Sequence, residues 1–436
     1  VDSLWASQIN PAKLEPARHS SLDLAIIGGG LSALWSAFHA KRFDPTLRIG
    51  IFEAEKIGFG ASGRSGGWVS SDFPVSKKKI IEKWGGGAAE LLESSLSQSI
   101  DEIGGFATSY APEADFTKSG SLIFTRNLGQ VERLQSNLDR DHQWLEPYEV
   151  REKIRIAGQL GGVWNGNSAR INPLGLVSAL VKYLTKAGVD ISENSFATSV
   201  PEGILVNNRY LEAGAVIEAT EVFGRPGRDY IPLYSLMIAS EPLRHNLWQE
   251  IGNLERFTFA EGRHLINYAQ KSIDGRLVLG GRGATYPFAS RLSDKKERDY
   301  RVHKNLQNLA LQWFPQLAGH SFTHFWGGAV AITRDWQPYI QWDPSARRGR
   351  LGGYAGDGLT MSFLAAKVIA ALMTENKIPE SNLHFVNKDI RQWEIEPLRY
   401  LAVNSLVKLS ALADREEALT SRASVLSRII EPLILR

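Results

Sequence analysis

"LDLAIIGGGLSA", residues 22–33, decides how the fold is read. An apolar run broken only by Asp23 ends in three glycines, after which Leu31, Leu34, Ala37 and Phe38 recur at helical spacing. That pattern predicts a buried strand, a tight turn and a helix. Gly28, Gly30 and Ala33 stand at the G-x-G-x-x-G/A positions between strand and helix. The first glycine permits the turn, the second lets a pyrophosphate approach the backbone, and the small third residue lets helix and strand pack closely. The helix N-terminus adds unpaired N–H groups and a positive dipole end. "LRIGIFEAE" at 47–55 completes a βαβ unit, with Glu53 lying 23 residues past Gly30 and placed to accept ribose hydroxyls. Dinucleotide binding is the expectation, against a merely tight turn.

The next segment bears on which dinucleotide. "GFGASGRSGGW", residues 58–68, sets bare backbone around a single cation, Arg64. A nicotinamide enzyme often continues with a simple alternation of strands and helices, so this second glycine-rich segment argues for FAD. Gly63, Ser65 and Gly67 also spell G-x-S-x-G, the nucleophile elbow of serine hydrolases, which needs a strand running straight into the serine. The preceding "AEKIGFGA" holds two charges and two glycines and predicts no strand. The hydrolase alternative would have to assemble a triad from Ser65, Asp335 and His384.

"GRLGGYAGDGLTMSFLAAKVIAALMTE", residues 349–375, repeats strand, glycine turn and helix. Gly356, Asp357, Gly358 and Leu359 fall at the start of that helix, where free N–H groups would polarise the pyrimidine carbonyl of an isoalloxazine and stabilise a reduced flavin. Alone, the motif also fits an ordinary helix capped by Asp357. Paired with the first fingerprint, it favours a flavin held by both ends of the chain. Trp68, Tyr268, Trp326 and Tyr354 lie in or beside these segments and are candidates for an apolar pocket over the flavin.

Between the motifs, helical stretches are expected near 86–104 and 128–140, and a helix opened by Asn172 and Pro173 and closed by Gly188. Strand-like runs are "GSLIFTR" (120–126), "AVIEAT" (215–220), "YSLMIASEPL" (234–243), "RLVLGGRG" (276–283) and "HFWGGAVAIT" (324–333). Residues 385–436 read as helical, with Val425, Leu426, Ile429, Ile430 and Leu433 in an apolar stripe that would pack on the body, on a partner subunit or on a membrane surface.

Composition narrows the function classes. The chain has 436 residues, 43% hydrophobic, with 50 Lys and Arg against 47 Asp and Glu, so no polyanionic partner such as nucleic acid is expected. The basic run "KKK" at 77–79 reads as a solvated face. The absence of cysteine excludes disulfides, thiolate metal sites and a flavin linked through sulfur. Nine histidines lack metal-ligand spacing, so no metal is expected. No stretch approaches a signal peptide or a membrane span, which suggests a cytoplasmic protein.

Five motifs in order resemble the superfamily of FAD-dependent amine and amino-acid oxidoreductases that includes D-amino-acid, glycine and sarcosine oxidases, and most nearly its gamma-glutamylputrescine oxidase-like members. They are "GASGRSGG" (60–67), "SEPL" (240–243), "DGRLVLGGR" (274–282), "WGGAVAITRDWQP" (326–338) and "GGYAGDGL" (352–359). The likeness spans roughly 20–376. It implies an α/β, or α+β, fold: a Rossmann-like FAD-binding domain from 20–80, 156–224 and 325–376, a mixed-sheet substrate domain from 81–155 and 225–324, and a helical C-terminal extension at 377–436.

The resemblance further implies a cofactor set. Gly60, Ala61, Ser62, Arg64, Ser65, Gly66 and Gly67 would run along flavin and pyrophosphate, with the backbone near Val200 on adenine. Leu31, Ser32, Ala54, Thr220, Gly328 and Thr360 complete the expected contacts. Trp68, Tyr268, Gln270, Arg282, Trp326 and Tyr354 would line the substrate pocket. The implied chemistry is hydride transfer from the carbon beside an amine nitrogen to flavin N5, giving an imine that water hydrolyses, with no essential side-chain base. Molecular oxygen or an electron carrier would reoxidise the flavin, and the C-terminal helices could serve an oligomer contact. Departures exist. Ser65 replaces the usual asparagine and Asp357 the usual histidine. Gln270 stands where relatives carry a carboxylate-binding arginine, which favours an amine without a carboxylate over an amino acid. Val278 falls where sarcosine oxidases place an oxygen-activating lysine. Nothing near 62–66 could link a flavin covalently, so FAD should be noncovalent.

Overall fold

The computed structural model describes residues 3–10, 14, 19–139, 141–224 and 227–427. Its first large sheet runs in the order Tyr339–Asp343, Arg348–Gly352, Arg209–Glu218, Leu22–Ile27, Ile49–Phe52 and Asp190–Ser192. Leu22–Ile27 is parallel to both neighbours, with Ala25 opposite Gly50 on one side and Val216 on the other. A central parallel strand is covered on both faces and is therefore apolar along its length. Leu24 and Ile26 join one core with the helices Leu31–Phe43, Gly86–Tyr110, Pro173–Lys186 and Gly358–Met373, while Ala25 and Ile27 pack against Ala197 and Ile204 of the hairpin Ala197–Val200 and Gly203–Val206.

The second sheet has the order Phe322–Thr333, Tyr230–Ser240, Leu277–Arg282, Asn267–Lys271, Thr258–Glu261, Ser121–Phe124, Gly162–Asn165 and His142–Leu145. Alternation along Tyr230–Ser240 separates its faces. Leu236 and Ile238 enter the core built on Leu306, Leu309 and Trp313 of the helix Tyr300–Trp313, whereas Met237 and Ala239 face Trp5 and Trp326.

Sequence expectations and structure diverge in four places. The charged stretch 128–140 is helical only over Leu128–Gln135, while the helix expected at 86–104 continues to Tyr110. The C-terminal segment is helical over Leu398–Thr420 rather than from 385, because Pro397, which lacks an N–H, stands at the helix opening. Of its apolar stripe, Val425 is exposed, and Ile429, Ile430 and Leu433 lie outside the described residues. The N-terminus also forms an unanticipated short helix, Leu4–Gln8, that buries Leu4 and Trp5. Trp5 Nε1 donates to Ser65 O (2.8 Å) and Ser3 Oγ to Gly63 O (2.8 Å), so this helix holds the outer side of the small-residue loop. Asn172 does open its helix, its Oδ1 accepting from Leu174 and Gly175 N–H at 3.1 Å each. Among the described residues no helix is long and apolar enough to cross a membrane.

Candidate active site

The C-terminal ends of parallel strands place their following turns at one edge of a sheet, where ligands of such folds bind. Gly28 turns there with φ +107°. Glu53 accepts from Gly29 N–H (2.7 Å, Oε2) and Glu55 N–H (2.9 Å, Oε1), which fixes the carboxylate beside the turn. Burial pushes its pKa up, partly offset by those two donors. Ser62 Oγ accepts from Leu31 N–H (2.9 Å), tying the small-residue loop to the helix Leu31–Phe43, which has no side-chain cap of its own. Farther along the chain, Tyr354 Oη pairs with Ser32 Oγ at 2.9 Å, joining the second glycine motif to the first.

Each turn of the loop 60–67 has a distant partner. Arg64 pairs with Glu297 (2.6 Å), donates to Gly327 O (3.3 Å) and lies over the Phe59 ring. Its carbonyl accepts from Trp326 Nε1 (3.0 Å). Gly66 lies against the Tyr268 ring so closely that a Cβ could not be placed, and Gly67 adopts φ +72° against Ile171 O. Gln270 Nε2 donates to Gly66 O, while its Oε1 accepts from Arg170 Nε (3.1 Å). Arg170 in turn is ion-paired with Asp115.

These elements enclose a cavity of about 380 Å³. Of the expected cofactor residues, Leu31, Ser32, Ala61, Ser62, Arg64, Ser65, Gly66 and Gly67 line it, as do Gly328, Gly356, Asp357, Gly358 and Leu359. Gly28, Gly30, Glu53, Ala54, Gly60, Val200, Thr220 and Thr360 do not, although Gly30 and Thr220 belong to the adjoining turns. Val200 O accepts from Arg348 Nη2 (3.0 Å). Of the expected substrate residues, Trp68, Tyr268, Arg282 and Tyr354 line the cavity. Gln270 and Trp326 do not, being turned to the backbone of the loop. Sequence reasoning missed Asp72, Arg133, Ser235 and Arg263 on the wall, and missed Glu221 altogether.

Glu221 opens a 3-10 turn just beyond the strand Arg209–Glu218, directly after Thr220, with φ +48°. Its carboxylate crosses the site to accept from Ala331 N–H (2.9 Å) and Gly353 N–H (3.3 Å). Burial pushes its pKa up to about 7 despite those donors. The folded protein thus holds the Glu221 proton more tightly than the unfolded chain does. Stability from this group is complete below the ordinary pKa and is lost as pH rises through 7, by about 3 kcal/mol. Glu221→Gln should therefore gain about 2.5 kcal/mol relative to the parent between pH 5 and pH 8, measured by denaturant unfolding of FAD-free protein at both values. An unchanged difference would show that Glu221 does not titrate in this window.

The hydrolase alternative fails on geometry. Ser65 follows a 3-10 turn rather than a strand, and its Oγ makes no hydrogen bond. His384 bonds Gln337 (2.9 Å) and stacks on Trp84, and Asp335 pairs with Lys388, so no relay joins the three.

A phosphate-bearing flat cofactor fits what is present. On the cavity wall, Ser65 Oγ and Trp68 Nε1 are buried with no hydrogen-bond partner, an arrangement that native interiors avoid unless a ligand or water completes it. Cβ atoms at Gly30, Gly328 and Gly356 would come within 3.0, 3.2 and 3.0 Å of Ser62, Arg64 and Arg282, so a side chain here would crowd the groups around the cavity. Residues 23–372 match the family model described as DAO, FAD dependent oxidoreductase. The gamma-glutamylputrescine oxidoreductase of Escherichia coli is 25% identical over 374 residues, covering 80% of this chain and 83% of the relative. A probable oxidoreductase of Haemophilus influenzae, OrdL, is 24% identical over 381 residues, covering 80% and 82%. The crystal structure of glycine oxidase from Geobacillus kaustophilus superposes with a TM-score of 0.70 at 18% identity, covering 85% of this chain and 99% of that one. With its two glycine motifs converging on one cavity and the match spanning most of its length, the chain belongs to the DAO family of FAD-dependent oxidoreductases.

Proposed function

We propose that the protein oxidises the C–N bond of a primary or secondary amine in the cavity between the small-residue loop and the second sheet, with FAD held noncovalently. The observation that carries this reading is the wall facing the loop, where Trp68, Tyr268 and Tyr354 present rings and Gln270 is turned away to Gly66 O and Arg170. The name of the Escherichia coli relative, an oxidoreductase of an amine, supports the same class.

Bound there, FAD would supply the hydride-accepting chemistry for the carbon beside the amine nitrogen. The chain's own groups bind and orient. Burial pushes the Tyr268 pKa up, so its phenol stays protonated, paired with Ser235 Oγ at 2.7 Å. That pair can fix an amine nitrogen as donor or acceptor while the surrounding rings exclude water. The helix Gly358–Met373 has no side-chain cap and presents free N–H groups toward the cavity edge.

Arg282 favours a second reading, an amino-acid substrate. It lines the cavity, donates to Ala355 O (2.5 Å), and could hold a carboxylate. Anaerobic titration of the FAD-loaded protein with amines and amino acids separates the two readings. Bleaching of the flavin by amines lacking a carboxylate on the reacting carbon is the expected result. Bleaching by α-amino acids alone would replace it with the second, and no bleaching by either would leave a flavin-binding protein without this chemistry. Peroxide formed on admitting air would identify oxygen as acceptor, against a separate carrier.

A further inference from the structure

The family match ends at Leu372, yet the helix Leu398–Thr420 beyond it reaches the wall of the cavity. Arg133, Gly262 and Arg263 line that wall. Asp414 accepts from His264 N–H (2.7 Å) and Leu265 N–H (3.1 Å). Glu417, with no exposed side-chain surface, meets Arg133 Nη1 at 2.5 Å and Nη2 at 3.2 Å, and His264 Nε2 at 2.9 Å. Arg133 Nη2 also donates to Gly262 O (2.6 Å). Residues 262–265 are therefore held by one helix through their backbone, a ring nitrogen and a shared arginine. His264, Asp414 and Glu417 could in principle surround a cation, but their oxygens already accept from Arg133 and main-chain N–H groups. The cluster is a latch.

What the latch presents to the cavity is Arg263. Its Nε lies 3.0 Å from Glu261 Oε2 as an ion pair, and the guanidinium makes no hydrogen bond to a side chain or carbonyl among the described residues. Glu261 is already occupied, accepting from Trp313 Nε1 (2.8 Å) and Gln130 Nε2 (3.1 Å). An arginine fork with open N–H groups matches a carboxylate bidentately. The strand Thr258–Glu261, which leads into Arg263, lies two strands beyond Leu277–Arg282, a separation of about 10 Å. Arg282 sits beside the second glycine motif, so Arg263 marks the opposite end of the cavity.

We propose that Arg263, positioned by the C-terminal helix through Asp414 and Glu417, binds an anionic group that the substrate carries at the end remote from its reacting C–N bond. The substrate class is then an amine with a carboxylate several carbons away. This rests on the amine reading above, and the test keeps the two separable.

The probes are ω-amino acids of four to eight carbons, each paired with the n-alkylamine that lacks its carboxylate. They are titrated anaerobically into FAD-loaded protein, and binding is read from perturbation of the flavin spectrum. At least one ω-amino acid should bind about tenfold more tightly than its alkylamine. Arg263→Gln should remove that preference, and Arg263→Lys, which keeps the charge but not the fork, should retain part of it. Glu417→Gln should reduce the preference while the bound flavin spectrum without probe stays unchanged, a selectivity change that general loosening of the fold would not produce. Alkylamines that bind while the carboxylate confers no preference, or a preference that survives Arg263→Gln, would overturn the anchor and leave the amine reading standing. Failure of both series to perturb or bleach the flavin would sink both.

Discussion

Gly28→Ala is expected to yield a protein that folds poorly and no longer retains FAD. The residue has φ +107°, where an L side chain is strained by about 1–2 kcal/mol. The added Cβ would also lie 2.5 Å from Ala219 O and 3.0 Å from Ala219 C. Those are backbone atoms at the end of the neighbouring parallel strand, so no rotamer change relieves the collision, and overpacking of this kind costs about 1–3 kcal/mol. Relief requires the Gly28 turn to move away from residues 219–220, which displaces the turn proposed to hold a pyrophosphate. A loss of about 2–5 kcal/mol in binding corresponds to an affinity lower by roughly 30-fold to several thousand-fold. The FAD-to-protein ratio after purification and the reconstitution Kd measure it. Gly188 provides the control, having φ +78° but nothing within 4 Å of an added Cβ. Gly188→Ala should lose about 1 kcal/mol of stability and keep its FAD. If the two variants retain FAD equally, the tight packing at Gly28 does not support the cofactor site.

That contrast shows what a sequence can and cannot reveal. The strand, turn and helix at 22–43 and the second glycine motif at 352–373 were legible because each is local, its spacing being set by elements that touch within about 30 residues. The loop 60–67 stood out in the sequence as a candidate cradle, and it does line the cavity, but its supports were not legible. Arg64 finds Glu297, and the loop carbonyls find indoles from Trp5 and Trp326, across more than half of the chain or from an N-terminal helix too short to show a period. Tyr268 and Gln270 lie two apart and share one face of a strand, so alternation places both toward the loop. It cannot say that Tyr268 borders the cavity while Gln270 is drawn beneath the loop. Glu221 escaped notice because it lies in a short turn and its side chain bonds main-chain N–H groups 110 and 132 residues farther along the chain. The C-terminal extension read as a packing element, and its two carboxylates became interpretable only once Arg133 and residues 264–265 were seen against them.

The long-range support also sets the second large effect, at Arg170. Only 1% of this residue is exposed, and its guanidinium pairs with Asp115 while donating to Asp115 O (2.9 Å) and Gln270 Oε1 (3.1 Å). Gln270, fixed by that bond, donates to Gly66 O and so holds the cofactor loop from below. Arg170→Met fills similar volume but leaves the amide oxygen of Gln270 and the carbonyl of Asp115 without their donor inside the protein. Arg256 still neutralises Asp115, so the effect comes from the broken network rather than from a naked charge. Each buried acceptor left without its donor in this way costs about 1–3 kcal/mol. Gln270 is then free to rotate off Gly66, and FAD affinity should fall with stability. Gln270→Met should reproduce the cofactor effect with a smaller loss of stability, because Arg170 keeps Asp115. The double variant should lose less FAD affinity than the sum of the two, since both act on the loop through one chain of bonds. Unfolding in denaturant and reconstitution with FAD supply both quantities, and strict additivity in FAD affinity would show that Arg170 and Gln270 support the loop independently.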